Sequence, residues 1–259
     1  MLPSLFLSHG SPMLALEDSP AASFLRGLPS RLAARPRAIL VASAHWEAAS
    51  PLVGGAARNE TIHDFGGFPP ALYQIRYDAP GAPDIAQRTA QLLAQAGFDA
   101  RIDANRGLDH GVWVPLSLAW PEADIPVFQL SIQTREGPAH HLALGRALQP
   151  LRDEVLIVGS GSWTHDLGGF RGQGIDAPEP DYVRRFADWA DAALMQARTE
   201  DLLAYRTLAP DARRNHPTEE HFLPLFVAYG AGAERNVTAL HRSIEYGVLH
   251  MDAYAFGEG

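Results

Sequence analysis

The chain has 259 residues, of which 46% are hydrophobic and 20% charged, and its formal net charge is −9. That length can bury a substantial core, the composition is that of a folded domain rather than a disordered segment, and the acidic balance argues against a nucleic-acid partner. Cysteine and lysine are both absent, which excludes disulfides, thiolate metal sites, cysteine nucleophiles, Schiff-base chemistry and a phosphate-loop lysine.

The first residues read as a strand over 5–7, not as a signal peptide, and no apolar run is long enough to span a membrane. With no cysteine to protect or pair, a cytoplasmic location is expected. A second strand is predicted over 38–42. Gly66, Gly67, Pro69 and Pro70 mark a loop. A helix is predicted over 83–96, where Ile85, Thr89, Leu92, Leu93 and Ala96 share one side and Gly97 offers a stop. His110 falls in a polar loop before the apolar stretch 112–118. A strand over 127–132, a helix over 138–151 and a strand over 155–158 follow. The Gly159-Ser160-Gly161-Ser162 run reads as a turn, 168–180 as a loop, and 182–197 and 218–229 as helices. Residues 237–256 suggest further strands, antiparallel at an edge. The runs 39–41 and 155–158 are continuously apolar, as suits strands covered on both faces. The alternation predicts one α/β domain over 1–259, with a central, mostly parallel mixed sheet flanked by helices on both faces.

Eleven histidines occur, and their placement carries the chemistry. His9, His45 and His165 each follow a predicted core strand. In a parallel sheet those carboxyl ends share one rim, where ligands bind. His221, in the first turns of the predicted helix over 218–229, can reach the same rim. Imidazole ligates iron, zinc, copper and nickel, and three neutral ligands leave coordination positions open. His140, His141, His241 and His250 read as ordinary surface or core residues, while His63 and His216 are open to either reading. The Gly159-to-Ser162 turn is too short for a nucleotide fingerprint, and the serine elbow of a hydrolase is missing.

Five segments then occur in order: Ser8-His9-Gly10-Ser11-Pro12-Met13, Ser43-Ala44-His45-Trp46, Thr61-Ile62-His63-Asp64-Phe65-Gly66-Gly67-Phe68-Pro69, Asp109-His110-Gly111-Val112-Trp113 and Glu220-His221-Phe222-Leu223-Pro224-Leu225. Together they resemble the DOPA-dioxygenase-like branch of the class III extradiol ring-cleaving dioxygenases, over most of the chain. The resemblance implies an oxidoreductase that opens a catechol ring with dioxygen to a muconic semialdehyde, on a DOPA- or caffeate-like substrate. It implies Fe(II) held by His9, His45 and His221, with Zn(II) found in some purified members. The wider class has a glutamate as third ligand, so Glu220 stays open as a ligand. His165 is implied as the catalytic base and His110 as a second polar contact, with His63, Asp64 and Phe65 in the pocket wall. An arginine near the rim would hold a substrate carboxylate, and no particular one stands out. A monomer or homodimer is expected. Two other readings fit the same histidines: a zinc hydrolase and a non-enzymatic metal or small-molecule binder.

Overall fold

The computed structural model describes residues 1–257, so the last two positions of the expected 1–259 domain lie outside it. Among the described residues ten strands are formed: β1 (Ser4–Ser8), β2 (Ala38–Glu47), β3 (Leu52–Gly54), β4 (Arg101–Asp103), β5 (Val127–Ile132), β6 (Val155–Gly161), β7 (Thr238–His241), β8 (Ile244–Glu245), β9 (Leu249–His250) and β10 (Ala253–Phe256). The helices are α1 (Pro20–Gly27), α2 (Pro83–Gln95), α3 (His110–Ala119), α4 (Gly137–Leu148), α5 (Leu167–Phe170), α6 (Asp181–Met195), α7 (Thr199–Leu203), α8 (Tyr205–Leu208), α9 (Ala212–Asn215) and α10 (Leu223–Ala231).

Eight strands make one mixed sheet in the order β4-β3-β5-β2-β6-β1-β10-β7, and β8 and β9 form a separate pair. The central strands β5, β2, β6 and β1 are mutually parallel. β10 runs antiparallel to β1 and to β7, as expected of the C-terminal strands. The continuous apolar runs have a direct explanation. Ile39 and Val41 pack into a cluster with α1 and α3, whereas Leu40 and Ala42 pack into one with α2, α4 and Val227 of α10. Successive side chains of one strand point to opposite faces, so both faces must be apolar. Helix α10 is buried at all nine positions, which is why its sequence shows no polar stripe.

Four local expectations are corrected. β6 continues through Gly161, so residues 159–161 are strand rather than turn. The reason lies across the sheet: a Cβ on Gly159 would stand 2.0 Å from the Pro224 carbonyl oxygen, and one on Gly161 would stand 2.1 Å from that of His221. Glycine here lets the start of α10 press against the sheet, rather than allowing a bend. β2 likewise extends past a register shift to Glu47, so His45 lies within the strand. The helix expected over 218–229 begins only at Leu223, with His221 in the turn before it. His110 is the first residue of α3 rather than part of a loop.

Candidate metal centre and substrate cavity

In the sheet β6 lies between β2 and β1, and the three parallel strands deliver their ends to one rim. His9 directly follows β1, and its amide donates to the Gly161 carbonyl at 3.0 Å. His45 sits at the end of β2 and His221 in the turn that leads into α10. Their Nε2 atoms converge: His9 to His45 is 3.0 Å, and His45 to His221 is 3.3 Å.

Hydrogen bonds on the opposite side of the His9 and His221 rings fix their proton positions. The Ser160 hydroxyl donates to the Gly111 carbonyl at 2.5 Å. It therefore accepts from His9 Nδ1–H, 2.9 Å away, and leaves His9 Nε2 bare. The Glu220 carboxylate accepts from His221 Nδ1–H at 3.0 Å, and is itself held by the Thr218 hydroxyl at 2.9 Å. His221 Nε2 is bare by the same argument. Glu220 thus braces the ring from behind, away from the converging nitrogens. Behind His45 stands Asp64, with its oxygen 3.6 Å from Nδ1.

The bare His9 and His221 nitrogens both face His45 Nε2 at these distances, an arrangement that a cation between the three rings would satisfy. Burial, followed by the charges of neighbouring histidines, drives His9 and His221 far below the usual imidazole range and also lowers His45. The three are therefore neutral at neutral pH, as metal ligands must be. Nitrogen–nitrogen spacings of 3.0–3.3 Å suit bonds of about 2.0–2.1 Å to one first-row divalent ion. The donor set fits a metal.

His110 and His165 flank this trio. His110 Nδ1 and its backbone amide both lie 3.0 Å from one Asp64 oxygen. Asp64 thus caps α3 and fixes the His110 ring together, leaving Nε2 for the cavity. Burial alone would push up the Asp64 carboxyl; the hydrogen bonds and charge of His110 outweigh it and bring it down. A second acid, Asp109, is fully buried behind β2, where it accepts from Ser43 and Arg106 at 2.7 Å each. His165 stacks on His221 with ring centroids 3.5 Å apart. Burial lowers His165 to about 4, against the pull of Glu220.

Above the histidines opens a cavity of about 190 Å³, lined by His9, His45, His110, His165 and His221, with Phe65 and further apolar residues toward the mouth. That is about six water molecules' share of liquid volume, room for one substituted ring. Phe65 therefore stands in the wall, with Asp64 behind the histidines. His63 does not line the cavity: its Nε2 donates to the Ile75 carbonyl at 3.2 Å, and its ring packs on Phe65 and Trp113. His216 is buried beneath Trp163, whose carbonyl accepts from its Nε2 at 3.0 Å. His140, His141, His241 and His250 also lie outside the cavity lining. Among the described residues no arginine lines it either.

The sequence reading missed two groups. From the sequence Ser160 reads as part of a turn or as a hydrolase serine without its elbow, although a serine one strand away from a candidate ligand histidine is a natural orienting partner. Leu167, Phe170 and Leu249 form apolar wall beside Phe65 and Phe68, and no local motif marks these three.

A histidine cluster fit to hold a metal ion thus lies beneath an apolar cavity at the carboxyl rim of a mixed α/β sheet, the arrangement of an enzyme site for a small molecule. Residues 3–257 match the catalytic LigB subunit of aromatic ring-opening dioxygenase. Among curated relatives, the chain is 46% identical to a 4,5-DOPA dioxygenase extradiol of Beta vulgaris, with 98% of this chain and 96% of the relative covered. It is 39% identical to the Escherichia coli K12 protein of the same name, covering 99% and 95%. A crystal structure of an uncharacterized protein from Escherichia coli K12 superposes with a TM-score of 0.84 at 34% identity, covering 99% of this chain and all of the other. The chain belongs to the LigB family of aromatic ring-opening dioxygenases.

Proposed function

We propose that this protein is a non-haem Fe(II) dioxygenase that cleaves a catechol ring outside the diol, giving a muconic semialdehyde-type product. The observation that carries this reading is the convergence of three Nε2 atoms beneath a cavity of ring size, with two further histidines at its edge. His9, His45 and His221 would hold the ion. Bound there, iron(II) supplies the acidity that deprotonates a catechol and the redox chemistry that brings catechol and dioxygen together.

The chain's own residues do the rest. His165 is neutral at neutral pH, so it can take a proton from a catechol hydroxyl and return it as the ring opens. Its stack on His221 sets it beside the diol rather than at the mouth. His110, held by Asp64, presents Nε2 to the same face as a second polar contact. Phe65 closes over the ring, and His63 supports Phe65 from behind. The apolar walls exclude water, which strengthens each polar contact inside.

The test is oxygen uptake. Protein stripped of metal and reloaded with Fe(II) without air is mixed with oxygenated L-DOPA or caffeate, while dissolved oxygen and the yellow ring-opened product are followed together. Uptake in step with product, lost on zinc substitution, is the expected result. Turnover that needs no dioxygen and persists with zinc would overturn the reading in favour of a hydrolase.

A further inference from the structure

One side of the cavity wall is made by two pieces of chain that are held differently. Leu249 belongs to β9, and β9 is tied to the centre of the molecule. The His250 amide donates to the Thr164 hydroxyl at 2.8 Å, and that hydroxyl donates to the Val248 carbonyl at 2.8 Å. Leu167 and Phe170 belong to α5, which opens the segment 167–179. Most of this segment is exposed. It contains Gly172, at a φ of +78°, and Gly174, and a Cβ on either would meet nothing within 4 Å. Packing holds the middle of the segment only lightly, so its position depends on its ties to the β8–β9 hairpin.

Two of those ties are uncharged. The Tyr246 amide donates to the Ile175 carbonyl at 2.8 Å, and the Phe170 ring meets that of Tyr246 at 4.8 Å. The third is ionic, because His250 stands between two carboxylates. Its Nε2 lies 2.8 Å from an oxygen of Glu179, at the end of the segment, and its Nδ1 lies 3.3 Å from an oxygen of Asp252, between β9 and β10. An imidazole donates to both only when it carries both protons. Burial alone would lower His250; Asp252 and Glu179 outweigh it and raise the group above the ordinary imidazole value. The charges farther out are partly matched. Arg184 of α6 lies 4.0 Å from the second Glu179 oxygen, and the Tyr254 hydroxyl lies 3.4 Å from the second Asp252 oxygen. Asp188, Asp191 and Arg242 share the groove beside His250, with Arg242 donating to Asp191 at 2.5 Å, and His241 of β7 feels the Asp252 charge.

Neutral His250 keeps one N–H for two acceptors. The Asp252 side chain is 4% exposed and that of Glu179 22%, so the N–H stays with the carboxylate that water reaches less, and Glu179 turns to solvent. We propose that protonated His250 is a latch that clips the segment 167–179 to β9, holding Leu167 and Phe170 in the cavity wall, and that loss of its proton releases the segment. A group raised in the folded state contributes fully below about pH 6.5, and the contribution is lost as pH rises through its folded value. The latch governs access to the cavity and holds whatever reaction the histidine cluster supports.

The test is hydrogen exchange followed by mass spectrometry on zinc-loaded protein, from about pH 6 to about pH 9, with each rate divided by the intrinsic chemical rate at that pH. Protection of the 167–179 peptide is expected to fall about tenfold across that range, the order of one charge-assisted hydrogen bond in a partly exposed pair. The peptide that spans β6 is expected to keep its protection. His250→Gln leaves a donor that cannot titrate, and Glu179→Gln removes the charge on the segment while leaving His250 beside Asp252. Each is expected to abolish the fall, and because Glu179 lies on the segment rather than in the sheet, its variant answers the question if His250→Gln fails to fold. Protection that does not change with pH in the unmodified protein would overturn the latch. So would a fall that persists in the folded variants, or one shared equally by the β6 peptide.

Discussion

Replacing Ser160 with alanine removes one hydroxyl that does two things. It donates to the Gly111 carbonyl at 2.5 Å and accepts from His9 Nδ1 at 2.9 Å. Ser160 and His9 are both buried, so no water replaces the lost partner. An unpaired buried donor costs about 1–3 kcal/mol. His9 can relieve that cost by moving its proton to Nε2, the nitrogen that must be bare to bind an ion. Loss of such an orienting partner typically weakens metal affinity about 10–100-fold, equivalent to about 1.4–2.7 kcal/mol. The assay is a chelator competition for zinc or Fe(II), with thermal unfolding of the metal-free protein as the check on folding. A folded Ser160→Ala protein with metal affinity within about twofold of the parent would refute the tautomer argument, because the predicted loss is at least tenfold.

Three further predictions follow from the same geometry. His165→Ala should retain its metal but lose about 10²–10⁴-fold in turnover, the usual contribution of a general acid–base; near-normal turnover at full metal content would remove His165 from the mechanism. Gly161→Ala places a methyl 2.1 Å from the His221 carbonyl oxygen, so it should cost about 1–3 kcal/mol in denaturant unfolding and weaken metal binding by displacing His221. His216 is fully buried, and burial lowers it to about 3, whereas an unfolded histidine titrates near 6.5. Its folded pKa is the depressed one, so its contribution is intact above about pH 6.5 and is lost as pH falls toward 3. The loss reaches about 2 kcal/mol by about pH 5, and His216→Gln should flatten that part of the stability–pH curve of the metal-free protein.

Much of the fold could be read from the chain because its signals are local. The strand-length runs at 5–7, 38–42, 127–132 and 155–158 all lie in the sheet, and those at 39–41 and 155–158 are continuously apolar, as strands buried on both faces need to be. The helix expected over 83–96 forms as Pro83–Gln95. What could not be read depends on contacts distant in sequence. Gly159 and Gly161 look like a turn until the start of α10 is seen pressed against them. His221 looks helical because Pro217, Glu219 and Glu220 form a good helix start, yet the chain delays the helix to Leu223. The convergence of His9, His45 and His221 is suggested by the positions of the first two after strands and of the third in the first turns of the helix expected over 218–229, and the resemblance sharpens it. Their tautomers, set by Ser160 and Glu220, are tertiary facts. Beyond Phe65, most of the apolar wall is hidden for the same reason: Leu167, Phe170 and Leu249 come from separated segments with no shared motif.

The central claim is insertion of dioxygen into a catechol ring, and the mass of the product tests it most directly. Fe(II)-loaded protein should convert a catechol, under isotopically heavy dioxygen, to a ring-opened acid carrying both heavy oxygen atoms when quenched before exchange with water. A product that has only lost two hydrogens, as a quinone does, or that takes its new oxygen from water, would contradict the account.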